Sequence, residues 1–68
     1  MDLKMKYGLI KENNQYRLTE VYCNEYGDKG YIEDYSFAED SYQGFMDTLR
    51  MIEKDLEDPI IIDLDNNE

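Results

Sequence analysis

Residues 5–23 read MKYGLIKENNQYRLTEVYC, and the fold turns on whether this stretch doubles back at Asn13-Asn14. The runs on either side, Met5 to Glu12 and Gln15 to Cys23, are rich in tyrosine and branched residues, and paired asparagines between such runs are hairpin-turn chemistry. A tight turn there sets Leu9 opposite Leu18, Tyr7 opposite Glu20 and Met5 opposite Tyr22. A third run, Gly30 to Phe37, follows the turn-forming Asn24 to Lys29 around Gly27. A tight turn at Tyr26-Gly27 sets Tyr31 opposite Tyr22, Glu33 opposite Glu20, Tyr35 opposite Leu18 and Phe37 opposite Tyr16. Both registers gather Met5, Leu9, Leu18, Tyr22, Tyr31, Tyr35 and Phe37 on one face, and a one-residue slip would scatter the aromatics over both. The other face carries Lys6, Gly8, Ile10, Arg17, Thr19, Val21, Cys23, Ile32, Asp34 and Ser36. This register also puts two carboxylates, Glu20 and Glu33, against each other, a destabilising pair unless it is wet and bridged by tyrosine hydroxyls, or holds a cation.

Beyond the strands, Tyr42, Phe45, Leu49, Ile52 and Leu56 follow 3-4-3-4 spacing, the apolar stripe of a helix that covers one side of a sheet. Ser41 or Asp40 caps its start, with Gln43 placed to complete a box with Asp40, and Pro59 stops it at about Asp58. The run Ile60-Ile61-Ile62 is either a short edge strand or an apolar segment across the sheet end. The expected fold is α+β: a three-stranded antiparallel meander followed by one helix packed on one face. Residues 1–62 read as a single domain and residues 63–68 as an acidic tail.

Composition narrows function. The chain has 68 residues, 17 acids, 7 bases, one cysteine and no histidine, for a net charge of −10. A chain this short buries only about 60% of its unfolded surface, which leaves no room for separate cofactor and substrate domains. Without histidine, the common Ser/His, Cys/His and zinc arrangements are missing, so no enzyme, cofactor or metal is expected. Cys23, in an apolar strand pattern, reads as structural, and a lone cysteine suits a reducing cytoplasm. No apolar signal-peptide core is visible in residues 1–11, and Ile60 to Ile62 is far too short to span a bilayer.

The charge is unevenly placed. Residues 1–18 carry four bases and two acids, whereas residues 19–68 carry fifteen acids and three bases. Such a surface repels nucleic acid and anionic membranes and attracts basic protein surfaces or cations. Glu33, Asp34, Glu39 and Asp40 form one cluster, and Asp47, Glu53, Asp55, Glu57 and Asp58 mostly avoid the apolar stripe of the helix. Glu57 and Asp58 fall at the helix C-terminus, where the macrodipole disfavours acids. Carboxylates three or four apart on a helix, or two apart on a strand, are spaced much as successive phosphates are. These nine acids, with Tyr31, Tyr35 and Tyr42 as rim contacts, are the candidate partner-binding residues.

Two motifs dissolve on inspection. Gly27-Asp28-Lys29-Gly30 spells the G-x-x-G of nucleic-acid-clamping loops but joins two strands, so it is a hairpin turn. Asp63-Leu64-Asp65-Asn66-Asn67 opens like a calcium loop, yet Glu68 stands where the glycine belongs.

The run Tyr16-x-Leu18-x-Glu20-Val21-Tyr22, a turn at Gly27, Tyr31, then Ser41, Leu49, Leu56 and Pro59, resembles a group of short bacterial and phage proteins. Their pattern is an E-V-Y-Y strand, a D-G turn and one helix ending in proline and aliphatics; here Tyr-Gly replaces Asp-Gly. The resemblance implies a three-stranded sheet with one helix and no known activity. In size and charge the chain is also similar to the acidic anti-CRISPR and anti-restriction proteins of phages, several of which mimic nucleic acid. The expected function is therefore a cytoplasmic, non-enzymatic acidic inhibitor, monomeric or homodimeric. Its partner would be a basic nucleic-acid-binding effector such as a CRISPR complex. The alternative is a small host accessory domain whose acidity serves solubility.

Overall fold

The computed structural model describes residues 3–65. Strands β1 (Lys4–Glu12) and β2 (Gln15–Cys23) form an antiparallel hairpin with Met5 opposite Tyr22, Tyr7 opposite Glu20 and Leu9 opposite Leu18. Asn13 and Asn14 have φ of 56° and 60°. This left-handed pair is what a two-residue type I′ turn demands, and asparagine adopts it at low steric cost.

The second hairpin differs from the expected one. β3 is Lys29–Tyr31 rather than Gly30 to Phe37, and it pairs Val21 with Tyr31 and Tyr22 with Gly30, one residue away from the tight-turn register. The cause is the Asn24 side chain. Its Oδ1 accepts from the backbone N–H of Tyr26 at 2.9 Å and of Asp28 at 3.0 Å, while Asn24 N–H donates to the Asp28 carbonyl at 3.0 Å. The loop is thereby three residues long and closes on Gly27 at φ 84°, the left-handed position such a loop needs. The slip moves Tyr31 to the face of Val21.

β3 stops early because the Thr19 hydroxyl claims the next residue. It donates to the Ile32 carbonyl at 2.6 Å and accepts from Ile32 N–H at 3.2 Å. Tyr35 and Phe37 therefore lie in the irregular segment 32–41, not in a strand. Glu33 is exposed in a turn and does not face Glu20, whose carboxylate accepts from the Tyr22 hydroxyl at 2.5 Å.

After the helix, β4 (Ile61–Asp63) runs parallel to β1, with Leu9 opposite Ile61 and Ile10 opposite Ile62. The sheet is four-stranded and mixed, in the order β3-β2-β1-β4. With one helix the fold is α+β, and the aliphatic run after Pro59 is a strand. β4 passes the boundary drawn at residue 62. Leu64 N–H donates to the Lys11 carbonyl at 2.8 Å, and Asp65 accepts from Asn13 and Asn14 N–H at 2.7 and 3.0 Å. Asn66, Asn67 and Glu68 lie outside the described residues.

Helix α1 (Tyr42–Asp55) starts on the Ser41 cap, whose hydroxyl accepts from Gly44 N–H at 3.0 Å. Gln43 reaches forward to Asp47 at 2.9 Å instead of back to Asp40, so no capping box forms there. The helix ends at Asp55, short of Asp58: Glu57 N–H bonds the Lys54 carbonyl three residues back, and Pro59 keeps its predecessor out of helical geometry.

The core lies on the face opposite to the expected one. The fully buried side chains are Ile10, Thr19 and Val21, with Gly8 among them, whereas on the Leu9 and Leu18 face Tyr7 alone is buried and Met5 is exposed. Close approach explains the inversion. A Cβ on Gly8 would stand 2.7 Å from the Ile60 carbonyl oxygen and 2.8 Å from Val21 Cγ2, so the chain entering β4 presses directly on this face. Small and branched residues fill such a narrow gap; tyrosines, with a polar end to keep wet, do not. Lys6 on the same face donates to the Asp58 carbonyl at 2.7 Å. From α1, Ile52 is buried, Leu49 is half-buried, as is Leu56 at the C-cap, and Tyr42, assigned to the apolar stripe, is 79% exposed.

Candidate functional site

The irregular segment 32–41 and the exposed side of α1 carry the candidate residues. Ring contacts hold the segment in place. Tyr35 meets Tyr7 edge-on at 6.4 Å and 61°, and Phe37 stacks on Phe45 at 4.3 Å and 18°. Each such pair contributes roughly 0.5–1.5 kcal/mol beyond the area it buries. Glu39, between the segment and the helix, accepts from the Thr48 hydroxyl at 3.2 Å. The acids around it are thus carried on an anchored backbone.

The nine acids fall into two groups. Glu39, Asp47 and Asp55 are engaged by the fold: Asp47 receives Gln43 and Arg50, the latter at 3.2 Å, and Asp55 Oδ2 accepts from Tyr7 N–H at 3.0 Å. The last contact corrects the reading of the helix end. Asp55 satisfies an edge group of β1, a structural reason for an acid in the last helical turn. Glu57 and Asp58 follow the helix rather than ending it. Glu33, Asp34, Asp40, Glu53 and Glu57 are exposed, and among the described residues no group donates a hydrogen bond to their carboxylates. The Asp58 carboxylate is likewise without a donor, although its carbonyl takes Lys6. Of the candidate tyrosines, Tyr31 and Tyr35 are half-buried and Tyr42, two residues after Asp40 in the chain, is exposed. Among the described residues no three Asp, Glu or Cys side chains converge on a metal-sized site.

A tyrosine–carboxylate group, on the face where the sequence places Glu20 among tyrosine hydroxyls, joins both strands of the first hairpin to the irregular segment. It comprises Tyr7, Tyr22, Tyr35 and Glu20. Burial, together with the neighbouring Tyr7 and Glu20, pushes the Tyr35 phenol up to about 12. Burial also raises Tyr7, and the hydrogen bond to Glu20 raises Tyr22. All three phenols stay protonated at neutral pH, so the group acts as packing with satisfied polar ends rather than as a source of phenolate. Elsewhere, Lys4, Cys23, Asn24 and Glu25 line a hollow of about 430 Å³ at the far end of the first hairpin.

Comparison with known protein families, curated proteins and solved structures finds no match for this chain. No helix among the described residues is long and apolar enough to cross a membrane.

Proposed function

We propose that this chain is a non-catalytic acidic binding protein that occupies a basic, nucleic-acid-binding surface of another protein. The reading is supported by one observation above the others: among the described residues, no group donates to the exposed carboxylates of Glu33, Asp34, Asp40, Glu53 and Glu57. Their charge is unspent in the fold and disfavours it by self-repulsion. Tyr42, 79% exposed, supplies an aromatic contact of the kind enriched at interfaces. A CRISPR effector complex is the first partner to try, with the protein acting as its inhibitor.

Competition tests the proposal. A labelled DNA bound to the effector is challenged with the protein at rising salt. Displacement at low ionic strength that fades above about 0.3 M salt is expected, since exposed charges are screened within a few ångströms there. Reversal of Glu33, Asp34, Glu53 and Glu57 to lysine should weaken displacement at least about tenfold, a loss of roughly 1.4 kcal/mol. Undiminished competition by that variant overturns the reading. Failure to displace DNA from any basic effector favours acidity as a solubility device.

A further inference from the structure

Resting on the acidic-binding reading, we propose that the open edge of β2 from Gln15 to Leu18 receives an extended, basic segment of the partner as an added β-strand. The register sets this edge. Leu9 N–H bonds the Ile60 carbonyl on the β4 side, so Leu9 and Leu18 are a non-hydrogen-bonded pair. Leu18, and Tyr16 two residues before it, therefore point their N–H and C=O groups away from β1. β3 pairs only with Val21 to Cys23, and the Thr19 hydroxyl turns the chain away at Ile32. Among the described residues nothing bonds the outward groups of Tyr16 and Leu18.

Open edges of this kind are usually blunted by lysine, proline or a bulge. Here the only charge is Arg17, which is tied to Glu12 at 2.8 Å. The edge also offers side-chain recognition. Tyr16, 59% exposed, and half-buried Leu18 share one face and suit alternate apolar residues of an added strand. At its Thr19 end the edge meets the exposed Glu33 and Asp34, which select a positive charge. A second copy of this chain is disfavoured as the occupant, because each copy carries −10.

The probe is an acetylated, amidated Val-Lys-Val-Lys-Val-Lys peptide at low ionic strength, with a form N-methylated at alternate residues as control. Slowed exchange of the Tyr16 and Leu18 amides on adding the peptide is expected. The N-methylated form should bind about tenfold more weakly, having lost the backbone donors. In the Glu33→Gln, Asp34→Asn variant, affinity should fall several-fold while the fold is unchanged by circular dichroism. Equal binding of both peptides, or binding that leaves the two amides unprotected, overturns the edge assignment and leaves the acidic-binding reading standing. Amide protection that instead rises with protein concentration alone assigns the edge to a second copy and also overturns the proposal. Binding of neither peptide overturns the edge assignment too, while competition with DNA separately decides the broader reading.

Discussion

Gly8 in β1 and Gly30 in β3 flank β2 in one sheet and respond oppositely to a methyl group. At Gly8 the added Cβ meets a backbone oxygen at 2.7 Å and a buried methyl at 2.8 Å; at Gly30 it meets nothing within 4 Å. Gly8→Ala should destabilise the protein by about 1–3 kcal/mol in urea unfolding, the range for overpacking a filled core. Gly30→Ala should be neutral or slightly stabilising, since it mainly restricts the unfolded chain. Equal midpoints for the two variants would contradict the close approach of Ile60.

Tyr35 gives a second test at this scale. Its folded pKa of about 12 exceeds its ordinary 10.0, so the stability it contributes is complete below pH 10 and is lost as pH rises towards 12. Alkaline unfolding in that window is expected, accompanied by late phenolate absorbance. Tyr35→Phe should make the decline shallower.

Among the elements, the first hairpin was fully legible, because two asparagines at the turn leave one loop length and therefore one register. The second was misjudged by one residue. Gly27 signals a left-handed position, but whether it is the second or third residue of the loop is decided by the Asn24 side chain, a contact that no strand pattern contains. The inverted core has the same origin: counting aromatics weights the face that tyrosines can share with water, whereas Gly8 marks the face where chain meets chain. The helix was legible in its stripe and cap. Its end was not, because Asp55 is fixed by Tyr7 N–H, 48 residues away in the chain. Asp55→Ala should cost about 1–3 kcal/mol by orphaning that donor on a buried residue. Asp55→Asn, which keeps an acceptor, should cost less. As for the candidate site, sequence alone identified the acids but did not separate Glu39, Asp47 and Asp55, used by the fold, from those left over.

For the whole molecule, the C-terminal strand is held by a carboxylate. Asn14 N–H and then Asn13 N–H hold the Asp65 carboxyl below its ordinary 3.8. A lowered carboxylate contributes stability that is present above its unfolded pKa and lost as pH falls through the folded one. Acidification below about pH 4 should therefore loosen β4, read as faster exchange of the Leu9 amide, and Asp65→Asn should blunt that dependence. Replacing surface acids should meanwhile raise stability at low salt by relieving repulsion.

The bond between Asn13 and Asp65 spans 52 residues of chain. A hairpin closed by its own two-residue turn forms within microseconds, whereas a parallel strand so distant must first overcome the entropy of closing nearly the entire loop. β4 is thus expected to be the last strand to join during folding. Substitutions along it, such as Ile62→Val, should accelerate unfolding while leaving the refolding rate almost untouched, the signature of a contact absent from the transition state.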